Sequence, residues 1–302
     1  MGMVTIGAYA LVRLARLNQC PYQTLMIGAA VARPEHLPEF QNPPLDEVVI
    51  GIQFEPNAAY QQIFAGEVWG LFRDRFPKVE EKPPLQPVFE TFGPPTPPQQ
   101  NLQLFSGASH DRFWFLTNEG EELLQFQHDR FLHNWRRRGN VNLVYPRFEP
   151  MLDKFAGECK EIEDYFNSLE KGPLAINQCE LSYINILRGS LPTFAEGAKW
   201  LRFLDASNVG ATDDFNVVFR KVIERNGGPI GRLYCNAASA VVASADGGAE
   251  QAIRFDLTVR GVPAEPSLGG ALEFMRIARD IIVQKFATLT TDSAHEAWGR
   301  LK

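Results

Sequence analysis

Apolar and polar positions along this chain switch between a period of two and a period near 3.6, and the switches lay out its elements. Over 45–54, LDEVVIGIQF, residues Val48, Ile50, Ile52 and Phe54 share one face, which predicts a strand. A helix is predicted over 58–76, with Asn57 as cap, an apolar side of Tyr60, Phe64, Val68, Leu71 and Phe72, and Pro77 as its stop. The stretch 79–92 is a weaker strand, confined by its prolines to a sheet edge or a broken path. The proline-rich 93–101 is a loop, and 102–105 is a short apolar piece. Strands follow over 112–117, 122–127 and 131–136, and then a helix over 147–169. Its stripe is Met151, Leu152, Phe155, Cys159, Ile162, Tyr165, Phe166 and Leu169.

After a break at Gly172-Pro173 the pattern resumes. A strand is expected over 176–187, a short helix over 193–204 and a strand over 215–224. Strands over 231–243 and 251–262 are joined by an Asp246-Gly247-Gly248 turn. A long helix over 270–289 and a short terminal one, with Ser293 and Glu296 spaced as a capping box, close the chain. Both halves therefore read strand, helix, strands, helix. A long helix with one apolar stripe covers one apolar sheet face. The expected fold is α+β, in two tandem units over 34–172 and 173–302. Each is a long helix on an antiparallel sheet, of the helix-grip or TATA-binding-protein-like kind.

Composition narrows the picture. With 302 residues, 45% of them hydrophobic, the chain has material for a large core. A net charge of −6 argues against general affinity for phosphate backbones. Cys20, Cys159, Cys179 and Cys235 are scattered and form no CxxC, which suits a reduced, cytoplasmic protein. No apolar run is long enough to predict a membrane-spanning helix. Residues 1–33 carry Arg13 and Arg16 inside their apolar stretch, unlike a secretory signal; they are expected to be a disordered extension or the product of an upstream start codon.

The strongest local chemical feature is 128–140, HDRFLHNWRRRGN. As a basic-aromatic platform, Arg130, Arg136 and Arg137 would meet phosphates and Trp135 would stack a base. Against this, the strand reading makes Trp135 a core residue and the arginine run a solvated turn. His128 and His133 fall on opposite faces of a regular strand, and Cys159 and Cys179 read as buried thiols, so no metal or other cofactor is expected. No nucleophile motif, phosphate loop or dinucleotide fingerprint appears, so no catalytic residue is assigned and the chain is read as a non-enzyme. Phe113, Trp114, Phe115, Tyr183 and Tyr234 are the residues that would line a small-ligand cavity between helix and sheet. The favoured role is binding of a protein partner through a sheet edge or the groove between the two units. Nucleic acid and a small ligand are the alternatives.

Several phrases resemble a family of uncharacterised prokaryotic proteins known mainly for sporadic distribution among genomes. They are NPPLDEVVIGIQF at 42–54, FLHNWR at 131–136, LSYIN at 181–185, and the end of the chain with Phe286, Leu289-Thr290 and Trp298. The likeness runs from about Pro38 to Leu301. It implies no established activity and supplies no site residues. Patchy distribution suggests accessory genes of mobile or defence type.

Overall fold

The computed structural model describes residues 34–56, 60–93, 111–140, 142–169, 172–189, 191–244 and 247–302. The expectations for 1–33, for the Asn57 cap and for 94–105 lie outside the described residues. Residues Glu35–Lys302 form one compact unit.

The elements are β1 (Leu45–Phe54), a 3-10 turn at Gln62–Phe64, α1 (Ala65–Phe72), β2 (Lys78–Lys82), β3 (Arg112–Leu116), β4 (Glu122–Gln127) and β5 (Arg130–Arg136). They continue with α2 (Phe148–Ser168), β6 (Ile176–Arg188), α3 (Phe194–Trp200), β7 (Asn216–Arg225), β8 (Gly228–Ala243), β9 (Ala249–Gly261), α4 (Leu268–Leu289) and α5 (Asp292–Ala297). All nine strands join one sheet in the order β2-β3-β4-β5-β1-β6-β9-β8-β7, and every pairing is antiparallel.

This corrects the expected α+β fold of two tandem helix-on-sheet units. The molecule is mostly one large antiparallel sheet with five α-helices among the described residues. The strands that were to belong to separate units, β1 and β6, are paired from Leu45↔Asn185 to Phe54↔Ile176. The break at Gly172-Pro173 thus separates α2 from β6 in the chain but divides no sheet. Side-chain periodicity shows which residues share a face. It does not show which strands pair, because pairing is made by main-chain N–H and C=O groups common to all residues.

One face of the sheet is apolar. Val48, Ile50, Ile52 and Phe54 of β1, Phe131 and Trp135 of β5, Leu181 of β6 and Phe255 of β9 all lie in the core. The long helices α2 and α4 cover this face. Phe155 of α2 stacks on Phe131 with ring centroids 5.9 Å apart, and Phe72 of α1 stacks on Phe131 at the same distance. Phe286 of α4 stacks on Phe255 at 6.2 Å. Arg279 of α4 donates to Glu149 of α2 at 2.6 Å and ties the two helices together. Local signals fix several ends. Ser267 caps α4 and Thr193 caps α3. Thr291, not Ser293, caps α5 by accepting from Ala294 N–H. Asn226-Gly227, both at positive φ, makes the two-residue turn between β7 and β8.

Candidate functional site

The opposite face of the sheet is mixed, with Val49, Leu116, Leu123 and Ile186 buried on it, and the strand register builds a polar row across it. Gln127 of β4 sits beside Arg130 of β5, Arg130 beside Gln53 of β1, and Gln53 beside Gln178 of β6. Two residues along β6, Glu180 sits beside Arg260 of β9, and Arg260 beside Arg232 of β8. The row braces itself. Arg130 donates to Asp129 (3.3 Å) and to Gln53 (3.1 Å), and Gln127 donates to Asp129 (3.0 Å).

Residues 83–93 lie over this row as a strap. After β2 the chain leaves the sheet edge, because Pro83, Pro84 and Pro87 have no N–H to give a ladder and favour an extended, polyproline-like path. The side chains below hold the strap by its main chain. Gln127 accepts from the N–H of Leu85 (2.8 Å) and donates to its carbonyl (2.9 Å). Arg130 donates to the carbonyl of Gln86 (2.9 Å). Gln53 accepts from Val88 N–H (3.0 Å), and Gln178 from Glu90 N–H (3.4 Å). Arg232 donates to the carbonyl of Thr91 (3.1 Å). Neighbouring strands are about 4.8 Å apart and an extended chain advances about 3.3 Å per residue, so a straight segment of this length spans the row.

The strap carries one side chain into the sheet. The Glu90 carboxylate takes a hydrogen bond from Arg232 Nη1 at 2.7 Å and another from the Tyr234 hydroxyl, and Arg260 Nη1 lies 3.9 Å away. Its side chain is 1% exposed. Burial and the bond to Glu90 push the Tyr234 hydroxyl above its ordinary pKa, which keeps it a donor. By contrast Val88 is 38% and Phe89 56% exposed, and the apolar core takes in none of the strap's described residues. Beneath the strap is a cavity of about 50 Å³ walled by Gly51, Leu132, Val88 and Glu180. A Cβ at Gly51 would stand 2.7 Å from Leu132 Cγ, so any larger residue there would push Leu132 aside.

A second polar network crosses β3, β4, β5 and β1. Arg112 and Trp114 both donate to Gln125, Gln125 to Asn134, and Asn134 to Glu47 at 2.6 Å. Lys82, Arg112 and Arg136 surround the Trp114 ring at 4.5, 5.6 and 5.5 Å. Burial raises the pKa of Glu47 despite the Asn134 bond and Arg136. The folded state therefore binds a proton at Glu47 more readily than the unfolded chain does, so stability at this residue falls as pH rises through the window above the ordinary carboxylate value. Glu47→Gln keeps the acceptor for Asn134 and removes the buried charge. It is expected to raise the melting temperature at pH 7, with a gain that shrinks as pH falls toward 4. A loss at pH 7, or a gain equal at both pH values, would refute this account.

The residues of the expected basic-aromatic platform do not share a face. Arg130 is buried in the polar row, and Arg136, on the same face, donates to the carbonyl of Gly120 at 2.9 Å. Trp135 is 3% exposed on the helix side, with its ring 5.2 Å from Tyr145. Arg137 follows the end of β5; its N–H bonds Asp46 and its guanidinium sits 6.0 Å from the Trp135 ring. The indole on the face of Arg136 is Trp114, which sequence reasoning assigned to a ligand cavity. Of the other proposed cavity residues, Phe115 is fully buried and Tyr183 bonds Tyr145, while Tyr234 faces the strap. Neither the cavity under the strap nor one of about 170 Å³ beside the start of α4 is lined by this aromatic set.

His128 stacks on Tyr60 in the turn before β5, whereas His133 is fully buried with Nδ1 2.7 Å from Glu158. Among the described residues no cluster of His, Cys, Asp and Glu fits a metal ion. Cys159, Cys179 and Cys235 are free and buried, and burial pushes all three thiols well up. No helix among the described residues is long and apolar enough to cross a membrane. Gln53, Gln127, Gln178, Glu90, Arg232 and Arg260 were missed. The signal for them was present as glutamines and arginines within otherwise apolar strands, beside a segment with the spacing Pro-Pro-Leu-Gln-Pro-Val-Phe-Glu. Comparison of the chain with protein-family models and with curated proteins found no match.

Proposed function

We propose that this protein is a non-enzymatic interaction module that binds extended polypeptide against the polar face of its sheet. The observation that carries the reading is the row from Gln127 to Arg232, whose side chains hold an extended chain by main-chain groups. Bonds to the main chain give affinity for any extended segment, and a side-chain pocket adds selectivity, as in other modes of peptide recognition. Three buried free thiols favour the reducing cytoplasm as its compartment. Membership of the sporadically distributed prokaryotic family, in a mobile or defence setting, is part of this proposal. Its support is that the quoted motifs fall on β1, β5, β6 and the α4–α5 end.

A second reading has its own observation. The three cations around Trp114 make a basic-aromatic patch on the same face, with Arg136 kept from the expected platform and Trp114 in place of Trp135. Such a patch suits single-stranded nucleic acid.

One experiment covers both. A photoreactive leucine analogue is placed at half-buried Leu132, on the polar face between Arg130 and Gln125, and a photoreactive side chain as a control at exposed Gln284 of α4. The chain is then exposed to displayed extended peptides and to a single-stranded oligonucleotide at low salt. Peptide crosslinks at 132 and not at 284 are expected. Peptides captured only at 284 overturn the polypeptide reading. Oligonucleotide captured at 132 without peptide would replace it with the second.

A further inference from the structure

We propose that the row from Gln127 to Arg232 is the seat for an extended acidic segment of a partner protein, and that residues 83–93 fill this seat in cis. The inference rests on the reading of the polar face as a polypeptide-binding surface and names the chemistry of its ligand. The bonds from Gln127, Arg130, Gln53 and Gln178 go to the strap's main chain, so any extended segment could take them. The one side chain read is Glu90, through Arg232, Tyr234 and Arg260. An incoming segment therefore needs a carboxylate five positions after the residue that meets Gln127, and prolines that hold it extended without costing a bond.

Two features distinguish the strap from an ordinary covering loop. A loop that closes a sheet face buries its large apolar side chains. This one buries a carboxylate and leaves Val88 and Phe89 in solvent. Segments with few buried apolar contacts open at low free energy. An opened strap also leaves the seat with a charge to pair. Arg260 keeps Glu180 as a partner, but among the described residues Arg232 pairs with no carboxylate except Glu90. With the strap in place its side chain is 18% exposed, covered by Thr91 and Phe92, so departure of the strap uncovers a guanidinium that another carboxylate can pair. The tether gives the strap an effective concentration on the order of millimolar, which a free segment must overcome.

The test uses the full chain and a fluorescein-labelled peptide with the sequence of residues 83–93. In one variant residues 83–92 are replaced by a Gly-Ser stretch of equal length. This variant should bind the peptide at least about tenfold more tightly than the natural chain, because the cis competitor is gone. A peptide with Gln at the Glu90 position should bind about tenfold more weakly, and Arg232→Ala in the same variant should do likewise. A folded variant that ignores the peptide, or binds the Gln form equally well, overturns the inference. If that variant fails to fold, Glu90→Gln in the natural chain replaces it. Amide exchange at Val88 and Glu90 should then quicken at least about tenfold while β1 and β5 stay protected, and the peptide should bind more tightly than to the natural chain. Unchanged exchange and unchanged binding overturn the inference. Capture of other extended peptides at position 132, with no preference for the acidic one, leaves the polypeptide reading standing and removes only this one.

Discussion

Phe131→Ala should lower the free energy of unfolding by about 3–5 kcal/mol. Phe131 is fully buried at the middle of a three-ring stack, between Phe72 of α1 and Phe155 of α2, with interplanar angles of 18° and 9°. It is where the first helix, the long helix and β5 meet. Truncation removes the transfer free energy of the ring and leaves a cavity that its neighbours fill only in part. They are held by a strand ladder on one side and by helices on the other. Proteins of this size are stable by roughly 5–15 kcal/mol, so the loss is a large fraction of the whole. Urea unfolding measures it through a lower midpoint at unchanged slope. Phe131→Leu, which keeps most of the volume, should cost less than half as much. A cost below about 1.5 kcal/mol for the alanine variant would mean that the stack is not a packing centre.

The second large effect concerns the buried pair on the same side of the sheet. His133 of β5 and Glu158 of α2 both have side chains with no exposure, and they meet at 2.7 Å. His133 Nε2 has no other hydrogen-bond partner among the described residues, and the second Glu158 oxygen lies 3.9 Å from half-exposed Arg75. Such a pair contributes modestly as a whole, because taking the groups out of water offsets most of their attraction. Removing one partner is different. Glu158→Ala leaves an imidazole with both nitrogens unbonded in an apolar layer and an unfilled space beside it, at an expected cost of about 3 kcal/mol. Glu158→Gln keeps an acceptor for the ring and should cost about half of that or less. Replacing both, with His133→Leu and Glu158→Met, should recover most of the single-variant loss. Additive losses in the double variant would show that the two groups do not act through each other, and the account of the pair would fail.

What the sequence disclosed was local. The alternation of Val48, Ile50, Ile52 and Phe54 places β1 where it lies, and the stripe from Met151 to Phe166 gives α2 and its buried face. Pairing partners were not legible. Nothing in the side chains of 45–54 or 176–188 says that these two strands lie side by side, and without that pair the chain divides into two units on paper. The site was obscured for a related reason. In a period-two reading Gln53, Arg130 and Gln178 count as solvent-facing, since a polar residue opposite an apolar one normally is. Their burial follows only once 83–93 is laid over them, and three prolines made that segment look like a spoiled edge strand. Arg136 and Trp135 are adjacent in sequence and were grouped together; consecutive residues of a strand point to opposite faces, so the grouping could not survive in β5.

The central pairing of β1 with β6 has a consequence for synthesis of the chain. Leu45 waits for Asn185, and Phe54 for Ile176. A ribosome delivers β1 to α2 before any of β6 has emerged. During that interval β1 can gain β5 on one side, but on its other side it offers a row of unpaired N–H and C=O groups, the template on which chains aggregate. Domains dominated by such distant pairings also fold slowly, since a long loop must close before its contacts repay it. The nascent first half is thus the species with an open edge, and it keeps that edge until residue 188 has left the ribosome.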